Sequence, residues 1–356
     1  MHLGIRSKMS KYLQPYIDAW MLSFRKQRLE KIENIFDYQN IIRKRYAPFQ
    51  TQATNGFYGI EYTLREYAGY NKQVNASIEH GIFANYLGNT YEIVDPYMPS
   101  VFTFSKQRHV YIRSITDKLI FEIGPYIHYA KNIYNEFRMK EIKRNMGKTL
   151  LVFPAHGIED FTFKHETDIF CDYIDSFCDE HKFNTVLVCL YFVDIQNGLH
   201  LYYEKRGYTV VSAGHRDNND FLNILRTIID LSDYVMNENM GTQIGYALYL
   251  GKPQIVYRSI LTPVIKDASI RSNTDATNFW IMVSNLFSQY SDEISEEQRE
   301  FVKNAWGFDD IKSPGQMKDI FKFIHEIAYS KKYLERSKRV KKKYTDIDEF
   351  IECAIK

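Results

Sequence analysis

Beyond residue 148 the chain alternates between short runs of β-branched and aliphatic residues and longer amphipathic stretches. Thr149–Phe153, Thr185–Phe192, Thr209–Ser212, Tyr234–Asn237 and Gln254–Tyr257 read as buried strands. Between them, Phe163–His181, Leu199–Arg206, Asp220–Leu231 and Thr242–Leu250 carry apolar residues at helical spacing, and Gly207 and Gly251 stand where two of these helices stop. Strands alternating with helices call for a parallel sheet covered on both faces. From Glu296 onward the pattern is helical.

The first half is less regular. Tyr12–Phe36 has helical spacing through Trp20, Met21, Phe24 and Leu29. A helix over Gly59–Tyr67 ends at Gly69. Strands are expected at Val74–Ile78, Val101–Ser105 and Leu119–Ile123, and helices at Val110–Lys118 and Tyr126–Lys140. Lys143–Lys148 reads as a polar hinge. The pattern predicts an α/β protein with two domains facing a cleft. Residues 1–146 form the first domain, with a helical start. Residues 147–330 form the second, ending in helices. Residues 331–356 form a basic C-terminal helix or tail.

Composition narrows the class. Hydrophobic content of 45%, charged content of 25% and a net charge of +2 describe a globular protein and exclude a polycation that binds nucleic acid. Tyrosine is abundant, at 28 residues. Tyrosine-rich surfaces suit sugars, because the ring packs while the hydroxyl bonds. An AT-rich genome gives the same bias. The four cysteines, Cys171, Cys178, Cys189 and Cys353, lack metal-binding spacing and imply a reducing compartment. Met1–Ser10 is polar and basic, so no secretory leader is expected. The apolar run Thr185–Val193 is too short to span a bilayer. The expected location is the cytoplasm. The basic run Lys331–Lys343 and the stretch Trp20–Lys31 offer contact with an anionic inner leaflet.

Candidate chemistry sits where strands end, which is where open α/β sheets bind ligands. In the first half, Glu79 and His80 precede Gly81. Either side chain can take a proton from an acceptor hydroxyl, with Glu79 the first choice and His80 the second. Successive strand positions face opposite ways, so only one of them enters a cleft. Gly124 and Tyr126, at another strand end, are candidates for the acceptor side. In the second half, His156 and Gly157 follow the first strand, and His215 and Arg216 follow the third. Glu238, Asn239, Gly241 and Thr242 link the fourth strand to its helix. A helix N-terminus binds phosphate through its open N–H groups and partial positive charge. Gly241 lets the backbone approach a ligand, Thr242 offers a hydroxyl, Glu238 can accept from a ribose, and Arg216 can pair with phosphate. No metal-binding pattern appears, and no cofactor is expected.

These motifs resemble the two-Rossmann (GT-B type) glycosyltransferases of bacterial surface-polysaccharide synthesis, including capsule, O-antigen and lipopolysaccharide. The resemblance rests on Glu79-His80-Gly81, Ile123-Gly124-Pro125, Phe153-Pro154-Ala155-His156, Ala213-Gly214-His215-Arg216, and the run Asn239–Leu248 followed by Gly251-Lys252-Pro253. It covers about residues 55–260. It implies two Rossmann-like domains, an acceptor and base on the first, and a nucleotide-sugar on the second. A UDP-, GDP- or CMP-sugar would be substrate, and a glycan or lipid-linked molecule the acceptor. It also implies a C-terminal helix that crosses back to the first domain, and metal independence. The retaining branch's paired-glutamate motif is missing from its usual place, which favours inversion. The helical opening departs from the family's usual strand. Two other readings stand beside this one. The first is transfer of polyol phosphate from a CDP-polyol, as in teichoic-acid-like polymers, for which His80 and His156 would both be critical. The second is a non-catalytic partner in a polysaccharide-assembly complex.

Overall fold

The structure is a computed structural model and describes residues 32–44, 53–83, 93–95, 97–155, 167–238, 240–257 and 274–330. The expected helix Tyr12–Phe36 lies outside these residues except for Ile32–Phe36, which are irregular chain and turn. The basic segment beyond Ser330 also lies outside them.

The first half carries a parallel sheet, β1 (Ala76–Ile78), β2 (Ser100–Thr103) and β3 (Leu119–Glu122), in that spatial order. β1 is an edge among the described residues, and the Asn55 amide stands in for a neighbouring strand. Its Nδ2 donates to the Ala76 carbonyl at 2.7 Å, and its Oδ1 accepts from Ile78 N–H at 2.9 Å. α1 (Ile60–Ala68) packs beside this sheet and stops at Gly69, whose left-handed backbone caps it. α2 (Lys106–Arg113) starts one turn earlier than the apolar pattern indicates, because the Ser105 hydroxyl accepts from Arg108 N–H and fixes its start.

The continuous helix expected over Tyr126–Lys140 is broken. A 3₁₀ turn covers Tyr126–Tyr129, and α3 spans Glu136–Met146. The intervening backbone bonds to side chains of a helix far along the chain. Arg226 donates to the Ile127 and Ala130 carbonyls. Asn223 and Thr227 accept from the N–H groups of Lys131 and Ile133. Those bonds displace the helical ones.

Past Gly147 the chain enters the second sheet. Its strands are β4 (Thr149–Phe153), β5 (Thr185–Cys189), β6 (Thr209–Val211), β7 (Tyr234–Asn237) and β8 (Gln254–Val256). All pairs are parallel and the order is β6-β5-β4-β7-β8. This is the doubly wound order, with the chain reversing direction across the sheet between β4 and β7. The helices are α4 (Thr167–His181), α5 (Phe192–Gln196), α6 (His200–Lys205), α7 (Phe221–Leu231) and α8 (Thr242–Tyr249). β5 is shorter than the expected Thr185–Phe192, since the chain turns at Leu190 into α5. Every residue of β4, β7 and β8 is buried, as a sheet covered on both faces requires.

Three further helices complete the described chain: α9 (Thr274–Leu286), α10 (Glu296–Trp306) and α11 (Pro314–Ala328). Capping boxes start α10 (Ser295 with Gln298) and α11 (Ser313 with Gln316). α10 packs on α8, where Gly245 leaves room for the buried Trp306 indole. α11 returns to the first half. Phe321 lies against Tyr70 and Phe102 at ring-centroid distances of 5.2 and 5.8 Å. No helix among the described residues is long and apolar enough to cross a membrane.

Candidate active site

A cleft of about 280 Å³ opens at the carboxyl ends of the second sheet, at the point where its strand order reverses. Phe153-Pro154 at the end of β4, Leu190-Tyr191 after β5 and Met240–Gln243 before and in α8 form one wall. Tyr58, His80 and Gly81 approach from the first half, and α7 closes the side with Phe221, Leu222 and Leu225.

Of the adjacent pair expected to supply the base, His80 lines the cleft and Glu79 does not. Glu79 is 4% exposed and tied to Arg108. Arg108 Nη2 lies 2.6 Å from Oε1, Arg108 Nε lies 3.0 and 3.1 Å from the two oxygens, and the Thr103 hydroxyl donates to Oε2 at 2.6 Å. With both carboxylate oxygens engaged and turned inward, Glu79 is placed as a strut, and of the two candidates for the base it is His80 that faces the cleft. The imidazole is held by rings. Phe57 and Phe83 meet it edge-on at 5.7 and 5.6 Å, and Tyr58 lies at 6.4 Å.

Gly124 and Tyr126 do not face the cleft. Gly124, with φ of 69°, packs against Gly307 and Ile311, and a Cβ there would stand 2.8 Å from the Gly307 carbonyl oxygen. Tyr126 is wholly buried on Phe104, and its hydroxyl donates to the Glu79 carbonyl at 2.7 Å. Burial, and then the Glu79 charge, raise its phenol well above the usual value. Both residues shape the core beneath the His80 turn.

In the second half, Gly241 caps α8 in extended backbone and lines the cleft with Thr242 and Gln243. The Thr242 hydroxyl accepts from Ile82 N–H of the first half at 3.1 Å. His215 is buried against Phe192, ring centroids 4.1 Å apart, and its Nδ1 accepts from Asp217 N–H at 3.1 Å. It fixes its own turn and does not line the cleft. Arg216 accepts at its carbonyl from Tyr58 N–H at 2.6 Å, and its guanidinium lies 4.9 Å over the Phe57 ring. It therefore stiffens the aromatic wall behind His80. Glu238 binds Ala155 N–H through Oε2 at 2.9 Å, tying the β4 and β7 ends together, and is absent from the cleft lining. His156, Gly157 and Asn239 lie outside the described residues.

Sequence reading missed Tyr58. Its backbone is left-handed at φ 58°, its ring packs on Phe221 at 5.0 Å, and its hydroxyl is hydrogen-bonded to Tyr191. Burial raises its phenol above the usual value. The glycines that flank Phe57-Tyr58 were the available signal for a sharp turn. Gly59, at φ 67°, lies so close to the other half that a Cβ would stand 2.3 Å from the Asn219 carbonyl oxygen. Among the described residues no group of three or more His, Cys, Asp or Glu is arranged to hold a metal ion.

No protein-family model matches the chain, and no curated protein matches it. Among solved structures it is similar to the wall teichoic acid polymerase TagF, with a TM-score of 0.44 and 13% identity over 72% of this chain and 69% of that one. It is similar to MnaA of S. aureus in a co-structure with UDP, with a TM-score of 0.36, 11% identity and 68% and 61% coverage. It is also similar to UDP-GlcNAc 2-epimerase of Neisseria meningitidis bound to UDP-GlcNAc, with a TM-score of 0.35, 11% identity and 72% and 68% coverage. The chain thus spans under two thirds of the length of MnaA.

Proposed function

We propose that the chain is a glycosyltransferase that moves a sugar from a nucleotide-sugar to a hydroxyl of a glycan or lipid-linked acceptor. The observation that carries this reading is one cleft with two different walls. The second sheet's switch point and the start of α8 form one wall, and the strand-end imidazole of His80 stands on the other. A nucleoside diphosphate suits the first wall, because the first N–H groups of α8 have no partners within the helix and its dipole favours an anion. An acceptor hydroxyl suits the second. His80 takes the hydroxyl proton as the acceptor oxygen bonds to the anomeric carbon. The bond from that carbon to the donor phosphate breaks, and its electrons leave with the nucleoside diphosphate. The Thr242 hydroxyl and the amides of Thr242 and Gln243 stabilise the charge that develops there. Direct displacement of this kind inverts the anomeric centre. Glu79 acts through Arg108 to hold the turn that carries His80.

The test is a thermal-shift screen against CMP, CDP, UDP, GDP and their sugars. A ligand bound only by the folded chain stabilises it by about 2.7 kcal/mol at 100 times its Kd. One nucleotide raises Tm, and Gly241→Val abolishes that rise, because the added side chain crowds the Gln243 amide at the cleft mouth. His80→Gln keeps the nucleotide response and loses transfer. A response to CDP alone redirects the reading to polyol-phosphate transfer. No response to any nucleotide refutes it in favour of a non-catalytic partner.

A further inference from the structure

Thr242 opens α8 and is joined to two distant parts of the chain. Its hydroxyl accepts from Ile82 N–H, two residues past His80, at 3.1 Å. Its carbonyl accepts from Trp306 Nε1 on α10 at 3.2 Å. Its own backbone opens α8, and its side chain lines the cleft. Gly81 lies directly against it, since a Cβ there would stand 3.3 Å from the Thr242 hydroxyl oxygen. The hydroxyl serves as an acceptor in this arrangement, and its own proton has no acceptor among the described residues. A ligand oxygen in the cleft can take that proton. A hydroxyl that donates to an anionic oxygen becomes a stronger acceptor, so the two bonds reinforce each other.

We infer that Thr242 is a positioning residue that couples a nucleoside diphosphate in the cleft to the placement of the His80 turn. This rests on the reading of the cleft given above. When the ligand's phosphate oxygen accepts from the Thr242 hydroxyl, the Ile82 N–H bond tightens. The turn from Glu79 to Ile82 is then held where the imidazole meets the acceptor. The empty site keeps the weaker bond and a looser turn. The donor thereby prepares the acceptor side before the acceptor arrives, through one hydroxyl.

The experiment is amide hydrogen exchange at Ile82, read by mass spectrometry with site resolution, on the full chain with and without saturating UDP or CDP. In the wild type, the nucleotide slows Ile82 exchange by about 5-fold, the scale of one hydrogen bond. Thr242→Ser retains the slowing. Thr242→Val, of similar shape but without the hydroxyl, still binds nucleotide more weakly and loses the slowing. Gly81→Ala approaches the same contact from the other side and also reduces the slowing. It is the variant that decides the matter where Thr242→Val does not fold. Nucleotide binding that leaves Ile82 exchange unchanged, or that slows it equally in Thr242→Val, overturns the inference and leaves the cleft reading standing. Absence of nucleotide binding in the wild type overturns the cleft reading and the inference with it.

Discussion

The pairing of Glu79 with Arg108 separates a structural carboxylate from a chemical one. Both side chains are 4% exposed, and three guanidinium contacts between 2.6 and 3.1 Å join them. Glu79→Gln keeps the size and the Thr103 contact but removes the carboxylate charge that faces the buried Arg108 guanidinium. Breaking one side of a buried pair costs about 3–5 kcal/mol. At roughly 2–4 °C per kcal/mol for a domain of 150–250 residues, Tm falls by about 6 °C or more. Arg108→Met leaves the Glu79 anion buried and falls by a similar amount. The double variant, with neither charge, recovers most of the loss, because an uncharged pair carries no unpaired-ion penalty. The assay is urea unfolding followed by the fluorescence of the three tryptophans, buried Trp306 among them, with midpoints and slopes compared across the four proteins. A Glu79→Gln protein with an unchanged midpoint and abolished transfer would refute the reasoning and restore Glu79 as the base.

Gly245→Ala drives a methyl group to 2.2 Å from the Trp306 indole. It is expected to destabilise the chain by about 1–3 kcal/mol and to loosen α10 from α8. A urea midpoint equal to wild type would contradict that packing. His325 on α11 donates from Nδ1 to Asn75 Oδ1 (3.0 Å), and its Nε2 lies 3.2 Å from the Lys72 ammonium. Burial first, and then Lys72, lower its pKa to about 4, below the ordinary imidazole value of 6.5. Between those values the unfolded chain binds more protons than the folded one, so stability is full above pH 6.5 and declines as pH falls toward 4. His325→Gln should flatten that decline relative to wild type between pH 7 and pH 5. Parallel pH profiles would exclude His325 as its source.

The second sheet was legible because its signals are local. β4 and β7 occupy the residues that alternation assigned them, and Gly69 ends α1 as a cap glycine should. Signals that act at a distance were not legible. The break after Tyr129 comes from Arg226, Asn223 and Thr227 on α7, nearly a hundred residues away. No window of sequence around Tyr126–Lys140 contains that information. The same divide runs through the site. Strand-end turns could be located, and Gly241, Thr242 and His80 meet at one cleft. Which member of the Glu79–His80 pair faces the cleft depends on the phase of a three-residue strand and on the partner waiting on its other face.

That partner decides more than orientation. Glu79, Tyr126 and Arg108 form one buried unit in which a carboxylate holds a guanidinium and its carbonyl accepts a phenol proton. Each is a residue type that a motif search scores as catalytic. Here they use that chemistry on one another, and they fix the backbone one residue before His80. The imidazole therefore leaves a rigid base and enters a wall of Phe57, Tyr58 and Phe83, where its ring has little freedom to turn. An imidazole just past so short a strand needs this support, since three ladder pairs alone would let its end fray. The buried ion pair beneath β1 and the Thr242 bond above it address the same need from opposite sides, one permanently and the other when the cleft is filled.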